Sequence, residues 1–119
     1  MESFLKNPDL QLEVDTNLIE QALINLLVNA IEAVKEIENA KIQLSAFIST
    51  TQKTILKVAD NGCGIDEDVL DKIFIPFFST RKSGSGIGLS LCKQIMMLHK
   101  GHIQVQSTEG QGTAFSLQF

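Results

Sequence analysis

The chain has 119 residues, 44% of them apolar and 20% charged, with no Trp or Tyr, the size and balance of one globular domain rather than several. Ten Lys and Arg against fourteen Asp and Glu leave a net charge of -4, which gives no basic footprint for a phosphodiester backbone and excludes nucleic acid as the expected partner. Two cysteines, Cys63 and Cys92, are too few for a disulfide scaffold and are not spaced like a zinc site, so a reduced, cytoplasmic domain is expected.

In chain order, a polar lead-in ends at Pro8, and Leu10, Leu12 and Val14 alternate with polar residues as in a half-buried strand. Asp15 then offers a helix N-cap, and Asn17 with Glu20 offers a capping box. The helical, apolar pattern runs from Leu18 to about Ile37. It is interrupted by Asn25, Asn29, Glu32, Lys35 and Glu36, so it falls short of the roughly 18 uninterrupted apolar residues of a membrane span, and no membrane contact is expected.

Ile42, Leu44, Ala46 and Ile48, then Ile55 to Val58 across a polar link, read as a β-hairpin. Asp60-Asn61-Gly62-Cys63-Gly64 is a turn-forming cluster, and Asp66 can cap a short helix carrying Val69, Leu70 and Ile73. A loop from Ile75 to Ser85 leads to a second long helix, about Ile87 to Lys100. Leu89, Leu91, Cys92, Ile95, Met96 and Leu98 are its buried candidates and Gly101 its stop. Two strands around Gly110-Gln111-Gly112 close the chain. The order predicts an α+β two-layer sandwich of about five strands.

Three features point to a ligand. Gln21, Asn25, Asn29, Glu32 and Glu36 share a sector of roughly 80° on an otherwise apolar helix. Such amides either face water or meet a polar ligand or metal, because an unpartnered buried amide is costly. Asp60, at the end of a strand, can accept from an exocyclic amine such as that of adenine, or close an Asx turn. Gly84-Ser85-Gly86-Ile87-Gly88-Leu89-Ser90 runs into a helix start, where free N–H groups favour an anion, with Arg81 and Lys82 close upstream to reach a terminal phosphate. It matches neither a Walker A loop nor a dinucleotide fingerprint.

Taken in order, Asn25-Leu26-Leu27-Val28-Asn29-Ala30, Asp60-Asn61-Gly62-Cys63-Gly64-Ile65, Ile73-Phe74-Ile75-Pro76-Phe77-Phe78-Ser79-Thr80 and Gly84-Ser85-Gly86-Ile87-Gly88-Leu89-Ser90 resemble the N, G1, F and G2 boxes of sensor histidine kinases. Gly110-Gln111-Gly112-Thr113-Ala114-Phe115 resembles the final glycine box. The resemblance implies the ATP-binding catalytic domain of a two-component kinase in the Bergerat fold: residues 1–119 as one domain, a mixed sheet of about five strands on about three helices, and a mobile lid near 76–86.

By that resemblance Asn29 would ligate Mg²⁺ on the ATP phosphates, with Asn25 supporting the cluster, and Asp60 would hold the adenine amine. Gly62, Gly64 and Ile65 would shape the adenine pocket, and Thr113 would join the network around Asp60. Gly84, Gly86, Gly88 and Leu89 would wrap the phosphates, with Arg81 and Lys82 on the γ-phosphate. The partners implied are a histidine-bearing dimerisation domain and, downstream, a response regulator. An anti-sigma-type serine kinase of the same fold and a nucleotide-insensitive scaffold are the alternatives.

Departures matter as well. Glu32 stands where many relatives carry Lys or His, and Asn25 stands where related ATPases place a catalytic Glu, so water activation at that position is lost. No acceptor-histidine hairpin is present. His99 and His102 read as helix-end polar residues, and Cys63 as a small buried filler.

Overall fold

The computed structural model describes residues 2–3, 13–76 and 88–119. Chain order within them is β1 (Glu2–Ser3), β2 (Glu13–Val14), α1 (Thr16–Ala33), β3 (Ile42–Ile48), β4 (Thr54–Asp60), α2 (Glu67–Leu70), α3 (Gly88–Leu98), β5 (His102–Thr108) and β6 (Gly112–Gln118). Strands β3 to β6 form one sheet in the order β3-β4-β6-β5, every neighbouring pair antiparallel. The expected mixed sheet of five is therefore an antiparallel sheet of four. The strand foreseen near Val14 is short and pairs with β1 instead of joining the main sheet, while Leu10 and Leu12 lie outside the described residues.

Period-two alternation sets the sheet's faces. Leu56 and Val58 on β4 stand opposite Leu117 and Phe115 on β6, and these in turn oppose Ile103 and Val105 on β5. This face meets Ile19, Ala22, Leu26 and Ala30 of α1 and Cys92, Ile95 and Met96 of α3 in one core. Strand β3 is exposed along nearly its whole length. Leu44 is 55% exposed although it faces the same side as Val58, because β3 lies at the sheet edge beyond the cover of the two long helices.

Local capping decides the helix ends. Asp15 is the N-cap of α1, its Oδ1 accepting from the N–H groups of Asn17 at 3.1 Å and Leu18 at 3.3 Å, and Asp66 caps α2 in the same way. Helix α1 stops at Ala33 rather than Ile37, because the turn after β4 reaches back to it and the N–H of Cys63 takes the Ala33 carbonyl. Helix α3 ends in a Schellman motif in which Gly101 N–H donates to the Met96 carbonyl and Lys100 N–H to Met97. The left-handed residue there is Lys100, at φ 57, and not Gly101. Leu98, foreseen in the core, is 74% exposed, since Ile95 and Met96 already fill the face toward the sheet.

His99 has both ring nitrogens engaged within the fold. Its Nδ1 donates to the Ile95 carbonyl at 2.7 Å, and its Nε2 accepts from the N–H of Asp15 at 3.0 Å. These two bonds pin the start of α1 to the end of α3.

Candidate functional site

One end of the sheet gathers most of the described candidate residues. Asp60 ends β4, Thr113 lies directly opposite it on β6, and Ser107 lies opposite Thr113 on β5. By alternation all three point to the same side as Val58 and Phe115, toward the helices. Asp60 Oδ1 accepts from Gly62 N–H at 2.8 Å, so the Asx turn forms, and the second carboxylate oxygen stays available to a ligand. Asp60 is half-buried, a position from which a carboxylate can meet a ligand.

The glycine turn is held against two neighbours. A Cβ on Gly62 would stand 2.5 Å from the Ala33 carbonyl oxygen, and one on Gly64, at φ 73, would collide with that of Thr108. Both glycines answer first to the chain's own backbone, closing the turn between the end of α1 and the β5–β6 connection. Gly110 N–H donates to the Cys63 carbonyl at 2.7 Å and completes the closure. Ile65 follows, half-buried, with its N–H on Ser107 Oγ at 2.8 Å. Cys63 is exposed rather than a buried filler, because the turn seats Gly62 and not its neighbour against α1.

Asn61 was not foreseen as an anchor. Its Oδ1 accepts from Lys41 N–H at 2.7 Å and its Nδ2 donates to the Asn39 carbonyl at 2.9 Å, tying the loop after α1 to the same turn.

The amide stripe runs along α1 beside α3. Asn25 and Asn29 are half-buried, one turn apart. Gln21 Nε2 donates to Asn25 Oδ1 at 3.1 Å, and Asn25 Nδ2 donates to the Gly88 carbonyl at 3.4 Å. Asn25 thus links α1 to the first residue of α3, where Gly88 and the half-buried Leu89 sit. Cys92, one turn further along α3, donates its thiol to the Ala22 carbonyl at 3.4 Å. Burial pushes that thiol up to about 11, against a smaller opposing pull from Asn25.

Phe74 is half-buried and packs against the core, with the Lys93 ammonium 5.8 Å above its ring, a cation–π distance. Phe77, Phe78, Arg81, Lys82, Gly84 and Gly86, with most of the expected lid at 76–86, lie outside the described residues.

The described residues thus include a half-buried carboxylate at a strand end, a turn closed by glycines, and two half-buried amides on α1, one of them bonded to the start of α3. Among the described residues no group of three or more His, Cys, Asp and Glu could hold a metal by itself. Also among the described residues, no helix is long and apolar enough to cross a membrane.

Residues 14–119 match the family model of histidine kinase-, DNA gyrase B- and HSP90-like ATPases. The histidine-protein kinase AtoS of Escherichia coli K12 is 38% identical over 115 residues, covering 97% of this chain and 19% of that protein. The sensor histidine kinase ZraS of the same strain is 39% identical over 107 residues, covering 90% of this chain and 22% of that protein. Among solved structures, the nucleotide-free catalytic domain of the histidine kinase ThkA superposes with a TM-score of 0.77 at 39% identity, covering 96% of this chain and 73% of that one. The mycobacterial sensor kinase MprB shares the fold, with a TM-score of 0.80 at 24% identity over 92% of this chain and 76% of that one.

The chain belongs to this ATPase family, as an ATP-binding catalytic domain of the sensor histidine kinase kind. It spans about a fifth of the length of the curated relatives it matches.

Proposed function

We propose that this domain binds Mg²⁺·ATP and donates the γ-phosphate to a histidine on a separate helical dimerisation domain, from which the phosphoryl group passes to a response regulator. It does so on the cytoplasmic side, where ATP is found. The observation that carries this reading is the presence in one fold of Asp60, a carboxylate with one oxygen committed to its own turn, and of the amide stripe of α1 bonded to the start of α3.

In this reading Asp60 takes the exocyclic amine of adenine, with Ile65 and the closed turn of Gly62 and Gly64 as the wall of the base pocket. Asn29 holds Mg²⁺ through its side-chain oxygen, and the ion supplies neutralisation of charge on the phosphates. Asn25 holds the first turn of α3, with Gly88 and Leu89, next to that cluster. Arg81 and Lys82 meet the γ-phosphate, and Gly84 and Gly86 let the preceding backbone approach it. The domain acts by positioning and charge neutralisation, which is how phosphoryl transfer is commonly accelerated. Asn25 cannot serve as a base at neutral pH, and this favours transfer to a protein over hydrolysis.

Calorimetric titration with ADP or a non-hydrolysable ATP analogue, with and without Mg²⁺, tests the binding half. No heat at millimolar nucleotide with Mg²⁺ would sink it. The transfer half is tested by mixing the domain with an isolated dimerisation hairpin and ATP. An acid-labile phosphoryl group marks phosphohistidine, whereas an acid-stable one marks the serine kinase alternative.

A further inference from the structure

The row Asp60, Thr113, Ser107 has a direction that hydrogen-atom accounting reveals. Ser107 Oγ lies 3.0 Å from the Gly112 carbonyl oxygen, 2.8 Å from Thr113 Oγ1 and 2.8 Å from the backbone nitrogen of Ile65. The carbonyl can only accept, and two oxygens at that separation repel unless a proton lies between them. The serine proton therefore points at Gly112. Its lone pairs receive two donors, the N–H of Ile65 and, since no proton of its own remains, the hydroxyl of Thr113. Thr113 is 6% exposed, so its hydroxyl is confined to this network. With its proton committed to Ser107, it turns only lone pairs toward Asp60, which stands directly opposite and is itself an acceptor.

The geometry points to Ser107 as a specificity-determining positioning residue: by fixing the proton of Thr113, it makes the polar end of the base pocket accept only. This rests on the nucleotide reading above and goes beyond it. Two adjacent acceptors suit a purine with an amino group at C6, which offers them N–H donors directly. In the same pose, an oxo group at C6 sets oxygen against oxygen, and a site built around hydrogen bonds rejects a group that leaves them unmade. Ser107 touches no base in this scheme; it works through Thr113 from a strand away.

The test compares ATP with ITP, which carries an oxo group at C6 in place of the amine, by calorimetry on the wild-type domain and on Ser107→Ala, Thr113→Ser and Thr113→Val. Wild type and Thr113→Ser prefer ATP. In Ser107→Ala the freed Thr113 hydroxyl can turn its proton to either base, and the ATP-over-ITP preference shrinks about tenfold. Thr113→Val, which lacks the acceptor, loses ATP affinity and leaves ITP nearly unchanged. Equal weakening of both nucleotides by Ser107→Ala overturns the proposal, because it leaves Ser107 merely holding Ile65. Binding of neither nucleotide by wild type instead removes the nucleotide reading. In that event, or if Ser107→Ala fails to fold, the Thr113 hydroxyl proton in the wild-type NMR spectrum decides the proton order. Slow exchange with contacts to Ser107 is expected, and a freely exchanging proton overturns it.

Discussion

Gly62 lies back to back with Ala33, so close that a methyl group on Gly62 would stand 2.5 Å from the Ala33 carbonyl oxygen and 2.8 Å from its Cβ. The contact fixes where the turn after β4 meets the last turn of α1, and therefore where Asp60 stands relative to Asn29. Gly62→Ala should cost about 1–3 kcal/mol, the usual range for overpacking, and lower nucleotide affinity at the same time. Gly110 supplies the contrast. It sits at φ 83 with nothing within 4 Å of an added Cβ, so Gly110→Asn meets only the left-handed backbone penalty and should cost about 1 kcal/mol. Thermal melts of the two variants decide it, and a Gly62→Ala variant that melts like wild type would show that the two segments are not fixed against each other.

Asp60→Asn should separate turn from ligand. The Asn Oδ1 can still accept from Gly62 N–H, so the turn and the melting temperature are retained, while the second carboxylate oxygen becomes an amide donor facing the adenine amine. Nucleotide affinity should fall about ten- to hundredfold, the range for a lost hydrogen bond to a charged group. Calorimetry against ADP reads the fall, and a parallel drop in melting temperature would assign Asp60 to the turn alone.

Asn25 and Asn29, one turn apart, should fail differently. Asn25→Ala removes the link from α1 to Gly88 and should weaken nucleotide binding to a similar degree with and without Mg²⁺. Asn29→Ala should weaken mainly the Mg²⁺-dependent part. Titrations in Mg²⁺ and in chelator distinguish them, and equal losses at position 29 under both conditions would count against its metal role.

Much of this frame is legible in the sequence, because it depends on short-range signals. The hairpin follows from alternation, the two N-caps from Asp15 and Asp66, and the strand-end carboxylate from Asp60 before its glycines. What escapes is set by contacts between distant segments. Nothing local in Lys35 or Glu36 announces that Cys63 will take the Ala33 carbonyl and end α1 there. Nothing near Ser107 says that it will stand beside Thr113 until the β5–β6 register is known. The exposure of Leu44 likewise depends on which strand lies at the edge, and alternation is silent about order within a sheet.

Cys92 predicts an alkaline limit. Burial raises its thiol from 9.0 to about 11, so between these values the folded chain keeps a proton that the unfolded chain has released. Stability from this group is full below about pH 9 and declines as pH rises toward 11, by about 2 kcal/mol. Urea denaturation from about pH 8 upward should show wild type losing this increment relative to Cys92→Ala, and parallel curves would refute it. At neutral pH a thiol reagent should label exposed Cys63 and spare buried Cys92.

Strand β3 carries a consequence for how the domain behaves in concentrated solution. Ile42–Ile48 holds no charged residue and lies at the edge of the sheet, with Leu44, Phe47 and Ile48 all about half exposed. An uncharged apolar edge of this kind is a template on which another strand can register, the usual start of aggregation. Lys41 directly before β3, and Lys53 directly before its hairpin partner, are placed as gatekeepers at the two ends of that edge. Neutralising them leaves colloidal solubility, rather than folding or nucleotide recognition, as the first property to suffer.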